Sequence, residues 1–267
     1  MNEKVALVTG ASSGIGRHIA DTLATKGYLV YGTSRSPQAD RKGVKMRLLE
    51  VSDQASVDAC IASILEEAGG IDLLINNAAI VHVSPQEELP IEVAQHMMDI
   101  NFWGAVRVTN AVLPQMRQRR DGQLIFISSL AGQMGVPGQG FYCASKHAIE
   151  AYVDSLYLEL DQFGIRVSVL EPGSYKTGIL DQAASAPTWQ TFSDYDEMRV
   201  KLPQVIMEQT KNSQDPQLVA NLVAKVAADR NPGLRYPVSG ADKQVIRFKP
   251  WLPEKMFYKN VGQRFGL

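Results

Sequence analysis

Residues 4–16, KVALVTGASSGIG, carry the pattern that decides the fold. Val5 to Val8 form a short apolar run without alternation, as expected of a strand buried on both faces, and the run passes straight into the glycine turn Thr9–Gly16. Ile19, Ala20 and Leu23 then recur at helical spacing as far as Gly27, which reads as the helix stop. Strand, glycine turn and helix in that order form a nucleotide-binding context. Glycines let the backbone approach a pyrophosphate, and the first N–H groups of the helix offer it partial positive charge. Gly10, Ser12, Ser13, Gly14, Ile15 and Gly16 are therefore expected at the pyrophosphate.

The same alternation continues outward from this unit. Apolar runs at 28–33, 46–51, 71–75, 122–128, 165–170 and 234–238 read as six further strands, with helical patterns between them. Ser52 is the expected N-cap of the helix at 53–68. The expectation is one α/β domain: a doubly wound, Rossmann-type parallel sheet of about seven strands with helices on both faces. The second strand ends in Ser34-Arg35, where a dinucleotide's adenine ribose lies. An acid there would accept from the ribose 2′-OH, but none is present. Ser34 can donate to a 2′-phosphate and Arg35 can pair with it, so NADP(H) is expected over NAD(H).

A second signal sits in residues 129–146, SLAGQMGVPGQGFYCASK, which open a helical run. Tyr142 and Lys146 fall one turn apart on one helix face. For a tyrosine hydroxyl to act as an acid/base at neutral pH its pKa must move by about 3 units, roughly 4 kcal/mol. An ammonium about 4 Å away is worth on the order of 4 kcal/mol at an effective dielectric of about 20, so Lys146 is the residue expected to supply the shift.

Taken together, the glycine turn, Asn76-Asn77-Ala78, Ser128-Ser129 and Tyr142-x-x-x-Lys146 resemble the short-chain dehydrogenase/reductase family over residues 4–240, with a flavour of its hydroxysteroid and retinol dehydrogenase members. The spacing T-G-x-x-x-G-x-G is the version this family uses. The resemblance implies that Ser129, thirteen residues before Tyr142, holds the substrate oxygen. It further implies that Tyr142 transfers the proton, Lys146 also holds the nicotinamide ribose, and Asn101 supports a proton relay at a helix irregularity. By the same resemblance Asn76 and Asn77 tie strands beside the cofactor, Glu50 and Val51 meet adenine, and Pro172, Gly173, Tyr175 and Thr177 wrap the nicotinamide carboxamide. Three departures stand out: Glu50 for the usual Asp, Ala79 for the usual Gly, and Tyr175 for a Val or Ile.

Composition removes other classes. The net charge of −1 offers no basic stripe for nucleic acid, and no stretch of 18 apolar residues occurs. Cys60 and Cys143 lack metal-ligand spacing, so no metal is expected and a cytoplasmic, reduced setting is. A triad hydrolase has no G-x-S-x-G elbow here, and none of the four histidines stands where its base would. Residues 1–240 are read as the cofactor and catalytic domain, with a substrate lid at about 178–214 whose apolar side chains, Trp189 and Phe192 foremost, favour a bulky apolar substrate. Residues 241–267 form a tail with six Lys or Arg against Asp242 and Glu254. It is expected to pack at the substrate entrance or on a partner subunit in preference to a membrane, in a homodimer or homotetramer. The function expected is NADP(H)-dependent interconversion of a secondary alcohol and a ketone. The alternatives are an acyl-carrier-protein-type ketoreductase, a sugar or polyol dehydrogenase, and a catalytically silent nicotinamide-binding regulator.

Overall fold

The computed structural model describes residues 3–176 and 191–266. Its strands are β1 (Val5–Val8), β2 (Leu29–Ser34), β3 (Val44–Leu48), β4 (Leu73–Asn76), β5 (Gly122–Ile127), β6 (Ile165–Glu171) and β7 (Arg235–Pro237). They form a seven-stranded sheet in the order β3-β2-β1-β4-β5-β6-β7, and every pairing is parallel. The chain moves outward from β1 to β3 and then returns to lay β4 on the other side of β1. That reversal opens a crevice at the carboxyl ends of β1 and β4, where open α/β sheets bind ligands.

Side-chain parity divides the core. Leu7, Leu74, Leu124 and Phe126 face the layer built by α2 (Gln54–Ala68), α4 (Gly104–Arg119) and α5 (Gly140–Leu160). Ala6, Val8, Ile75 and Ile125 face α1 (Gly14–Thr25) and α7 (Gln217–Ala228). Successive residues on a strand point to opposite faces, so strands covered on both sides must be apolar at every position. Each buried Leu or Ile contributes about 1.5–3 kcal/mol by leaving water. Between α3 (Ile91–Met98) and α4 the chain takes one π-helical turn, Asp99–Trp103.

Three expectations shift. The third strand spans Val44–Leu48, and residues 49–51 run beyond the sheet. Asp53, not Ser52, caps α2, accepting from Ala55 N at 3.0 Å. Ser52 is engaged elsewhere, since its hydroxyl donates to Glu50 Oε1 at 2.8 Å. The tail folds into α8 (Gly240–Phe248), opened by a reciprocal Ser239–Asp242 cap, and α9 (Glu254–Arg264). Lid residues 178–190 lie outside the described residues, while the remainder holds α6 (Asp196–Lys211), with Leu202 and Ile206 buried.

Candidate active site

Thr9 closes β1, and its hydroxyl is shared among several groups at the switch point. It donates to Ile75 O at 3.3 Å and accepts from Asn77 N and Ala78 N at 2.9 and 3.0 Å. Asn77 Nδ2 answers with bonds to Thr9 O at 2.9 Å and Gly10 O at 3.3 Å. The glycine turn is thereby pinned to the end of β4. Gly10 and Gly14 take positive φ of 67° and 52°, which L side chains rarely adopt. A Cβ on Gly16 would stand 2.3 Å from Gly10 O. The turn thus requires glycine to place backbone against backbone, and it leaves the opening of α1 exposed to a phosphate-sized anion.

Asn101 lies in the π-helical turn, 2% exposed. Its side chain exchanges bonds with the backbone of Ile80, accepting at 2.8 Å and donating at 2.9 Å, and donates to Ser145 Oγ at 3.0 Å. Ser145 in turn donates to Tyr142 O at 2.7 Å. One buried amide therefore joins the loop after β4 to the first turn of α5. An irregular turn is where such a side chain can reach backbone that a regular helix would keep to itself.

Ser129, after β5, presents its oxygen to Ala131 N at 3.1 Å, and its hydroxyl lowers the Tyr142 pKa. Burial outweighs this and pushes the phenol up to about 12. Lys146, 3% exposed, donates to Ile127 O at 2.9 Å, with its Nζ 5.8 Å from the Tyr142 ring centre. Burial brings its ammonium down to about 8, opposed by the Glu150 carboxylate. The expected depression of Tyr142 by Lys146 is thus not what the protein alone displays, because in a low-dielectric setting both groups are driven towards their neutral forms. A phenol protonated at neutral pH is in the form that gives a proton away.

A cleft of about 640 Å³ joins these parts. Gly10, Ser12, Ser13, Gly14, Ile15, Gly16, Ser34, Arg35, Val51, Asn77, Ser129, Tyr142, Lys146, Pro172, Gly173 and Tyr175 all line it. Glu50 does not: its Oε1 also accepts from Ser52 N at 3.1 Å, which departs from the expected adenine contact. Asn101 stands behind the cleft, lining a small cavity with Lys146. Thr177 lies outside the described residues. Tyr175 is 4% exposed and its hydroxyl donates to Asp242 Oδ2 at 3.1 Å, so the ring ties the loop after β6 to α8 besides walling the cleft. Arg35 is exposed and forms no ion pair among the described residues, and no Asp or Glu lines the cleft among them.

On the far wall the lid expectation and the tail expectation part. Phe192 is not among the lining residues; its backbone N donates to buried Glu88 at 2.8 Å. Ile179, Leu180 and Trp189 lie outside the described residues. Val261, Arg264 and Phe265, at the end of the tail, supply that wall, and Lys201 of α6 donates to Gly266 O at 2.9 Å to hold it. The substrate entrance is one of the two placements expected of the tail, and the i, i+4 spacing of Val261 and Phe265 sets both on one face. The residues present fit a nicotinamide dinucleotide: a turn that only glycine satisfies, Arg35 at the ribose end, and Ser129, Tyr142 and Lys146 at the other.

Comparison with known proteins agrees with this geometry. Residues 4–188 match the family model described as short chain dehydrogenase. The chain is 37% identical to 3-ketodihydrosphingosine reductase of Bacteroides thetaiotaomicron over 96% of both chains. It is 30% identical to NADPH-dependent 3-dehydrocapnine reductase of Ornithobacterium rhinotracheale over 97% of both. A short-chain dehydrogenase from Streptomyces avermitilis superposes with a TM-score of 0.81 at 28% identity, covering 98% of this chain and 97% of that one.

Proposed function

The chain belongs to the short-chain dehydrogenase family, and we propose that within it the protein is an NADP(H)-dependent reductase of bulky apolar ketones. The observation that carries this reading is the convergence of Ser129, Tyr142 and Lys146 with the Thr9–Gly16 turn in one cleft. The chemistry supplied by NADPH when bound is hydride delivery to the carbonyl carbon. The turn and the opening of α1 hold the pyrophosphate, and Ser34 with Arg35 receives the 2′-phosphate. The absence of acids among the described lining residues, and the NADPH-dependent relative, support that cofactor choice.

Ser129 fixes the substrate oxygen by donating its hydroxyl hydrogen, and the Tyr142 O–H supplies the proton that completes the alcohol. Protonated Tyr142 suits the reducing direction. Lys146 holds the ribose and, when charged beside the phenol, eases its loss of the proton. Asn101 keeps the first turn of α5 and the loop after β4 in register while that proton is replaced. The substrate end is lined by Ile80, Val81, Leu130, Met134, Val136, Val261 and Phe265, which gain about 25 cal/mol per Å² of apolar surface they cover. A sugar would leave that wall unused.

The reading is tested by NADPH oxidation with a decalone and with an open-chain keto sugar. At least tenfold higher kcat/KM for the decalone is expected. Preference for the sugar would move the protein to the polyol class, and cofactor binding without turnover of any ketone would make it a silent regulator. The π-helical turn before α4 and the outer face of α5 leave Trp103, Tyr157 and Leu158 exposed, which supports a homodimer or homotetramer; light scattering after gel filtration measures it.

A further inference from the structure

Behind the catalytic face of α5 lies a second set of ionisable groups that the proposed reaction does not use. Glu150 is one turn beyond Lys146, so Tyr142, Lys146 and Glu150 follow each other on successive turns of one helix. Glu150 is 6% exposed and Glu171, at the end of β6, is fully buried. Arg235 of β7 serves both, at 3.1 Å to Glu150 Oε2 and 3.9 Å to Glu171 Oε1, and also pairs with half-exposed Asp154 at 2.7 Å. Gln133 donates to Glu171 Oε1 at 2.8 Å. Three carboxyls thus meet one guanidinium.

Of the buried oxygens here, Glu171 Oε2 has no hydrogen-bond partner among the described residues, and the Ser128 hydroxyl bonds to the Glu150 carboxylate. Ser128 and Glu150 lie together over Gly132, where an added Cβ would stand 2.7 Å from Ser128 Oγ and 3.1 Å from Glu150 Cγ. Buried oxygens without donors are costly, and two buried carboxylates facing one cation cost more. A proton on Glu171 cancels one of the two charges, and a neutral buried oxygen without a partner costs less than a charged one. Arg235 selects the ionised member, standing closer to Glu150 than to Glu171. Lys146 for its part forms no ion pair among the described residues, and its ammonium bonds to a neutral carbonyl. Glu150 is the carboxylate whose charge reaches it.

We propose that Glu150 is a positioning residue that acts through Lys146, its carboxylate keeping that buried ammonium charged, and that Glu171 leaves Glu150 ionised by carrying the single proton of the pair. Burial and the Glu150 charge push the Glu171 carboxyl up to about 7, with Gln133 and Arg235 opposing. The charged and titratable groups around the pair are Lys146 and Asp154 on α5 and Arg235 on β7, with Ser128 and Gln133 as polar neighbours.

The inference rests on the reading in which Tyr142 and Lys146 perform the chemistry, and the experiment separates the two. In the ketone-reducing direction kcat/KM falls at alkaline pH when Lys146 loses its proton. Glu150→Gln removes the anion that favours the ammonium, so this limb moves to lower pH by about one unit. Asp154→Asn weakens the same guanidinium without adjoining Lys146 and leaves the limb in place. A Glu150→Gln limb that coincides with the wild type, or an equal displacement in Asp154→Asn, overturns the proposal. If the wild type and Tyr142→Phe reduce the ketone alike, the underlying reading fails instead.

A second readout needs no cofactor and does not depend on Glu150→Gln folding. The folded-state pKa of Glu171 lies above its ordinary 4.5, so its proton stabilises the fold at low pH and that stability is lost as pH rises through about 7. Thermal unfolding from pH 5 to 9 should therefore show wild type losing Tm relative to Glu171→Gln as pH climbs through that window. A constant difference overturns the shared proton.

Discussion

The two ends of the cleft are built from different materials. At the glycine turn the lining surfaces come from backbone: Gly10, Gly14 and Gly16 expose peptide groups, and Thr9 and Asn77 lock that backbone to β4 with bonds of 2.9 to 3.3 Å. At the substrate end they come from side chains of segments more than a hundred residues apart, Ile80 and Val81 after β4 and Val261 to Phe265 at the end of the chain. A backbone site permits little variation, because an added Cβ meets main chain at 2.3 Å. A side-chain wall can be rebuilt residue by residue without touching the sheet. The glycine turn is therefore the more constrained of the two ends, and the apolar wall the more open to change.

Between the two ends stands Tyr142, the proposed proton donor, and loss of its hydroxyl should have the largest effect. Tyr142→Phe keeps the ring and removes the O–H, so turnover should fall at least a hundredfold, the order expected on removing a general acid, with NADPH affinity unchanged. Fluorescence titration alongside steady-state kinetics checks this, and near-wild-type turnover would take Tyr142 out of the mechanism. Next comes Arg35→Ala. A charge-assisted hydrogen bond is worth roughly 1.5–3 kcal/mol, so NADPH should bind about tenfold to a hundredfold more weakly while NADH is nearly unaffected. Equal losses for both cofactors would assign Arg35 to structure alone.

Gly16→Ala tests the backbone end directly. Forcing a methyl against Gly10 O and Asn77 should cost about 1–3 kcal/mol of stability, read as a lowered Tm together with weaker cofactor binding. Gly135→Ala, with nothing within 4 Å of the added Cβ, should stay within about 0.5 kcal/mol of wild type. The smallest effect is expected at the side-chain end. Val261→Ala removes about two buried methylene equivalents, roughly 1.6 kcal/mol at most, raising KM for a decalone severalfold with little change for a keto sugar. Phe192→Ala should leave that ratio alone, and the reverse pattern would put the lid, not α9, against the substrate.

Much of this was legible in the sequence, for reasons visible in particular residues. Val5–Val8 are buried on both faces and had to be uniformly apolar, and Gly10 and Gly14 occupy backbone conformations that other residues resist. Tyr142 and Lys146 fall one helical turn apart by their numbering alone. Local rules of this kind need no partner from elsewhere in the chain. Glu50 shows the limit: its place in the chain suggested adenine, but whether its carboxylate faced the cleft or Ser52 depended on the geometry past β3.

What tertiary structure alone decided is whatever needs two distant segments at once. The tail is expected at the substrate entrance or on a partner subunit, and only the folded chain decides between them: Phe265 is 5% exposed and walls the cleft, with Lys201 bonded to Gly266 O beside it. Glu150 reads as a helix residue, Arg235 as a strand residue and Glu171 as the residue just past a strand, and only the sheet order β5-β6-β7 beneath α5 sets them together. The pKa values of Tyr142 and Lys146 belong here too. Residue spacing supplies the charges, but burial supplies the dielectric, and burial is a property of the packed chain as a whole.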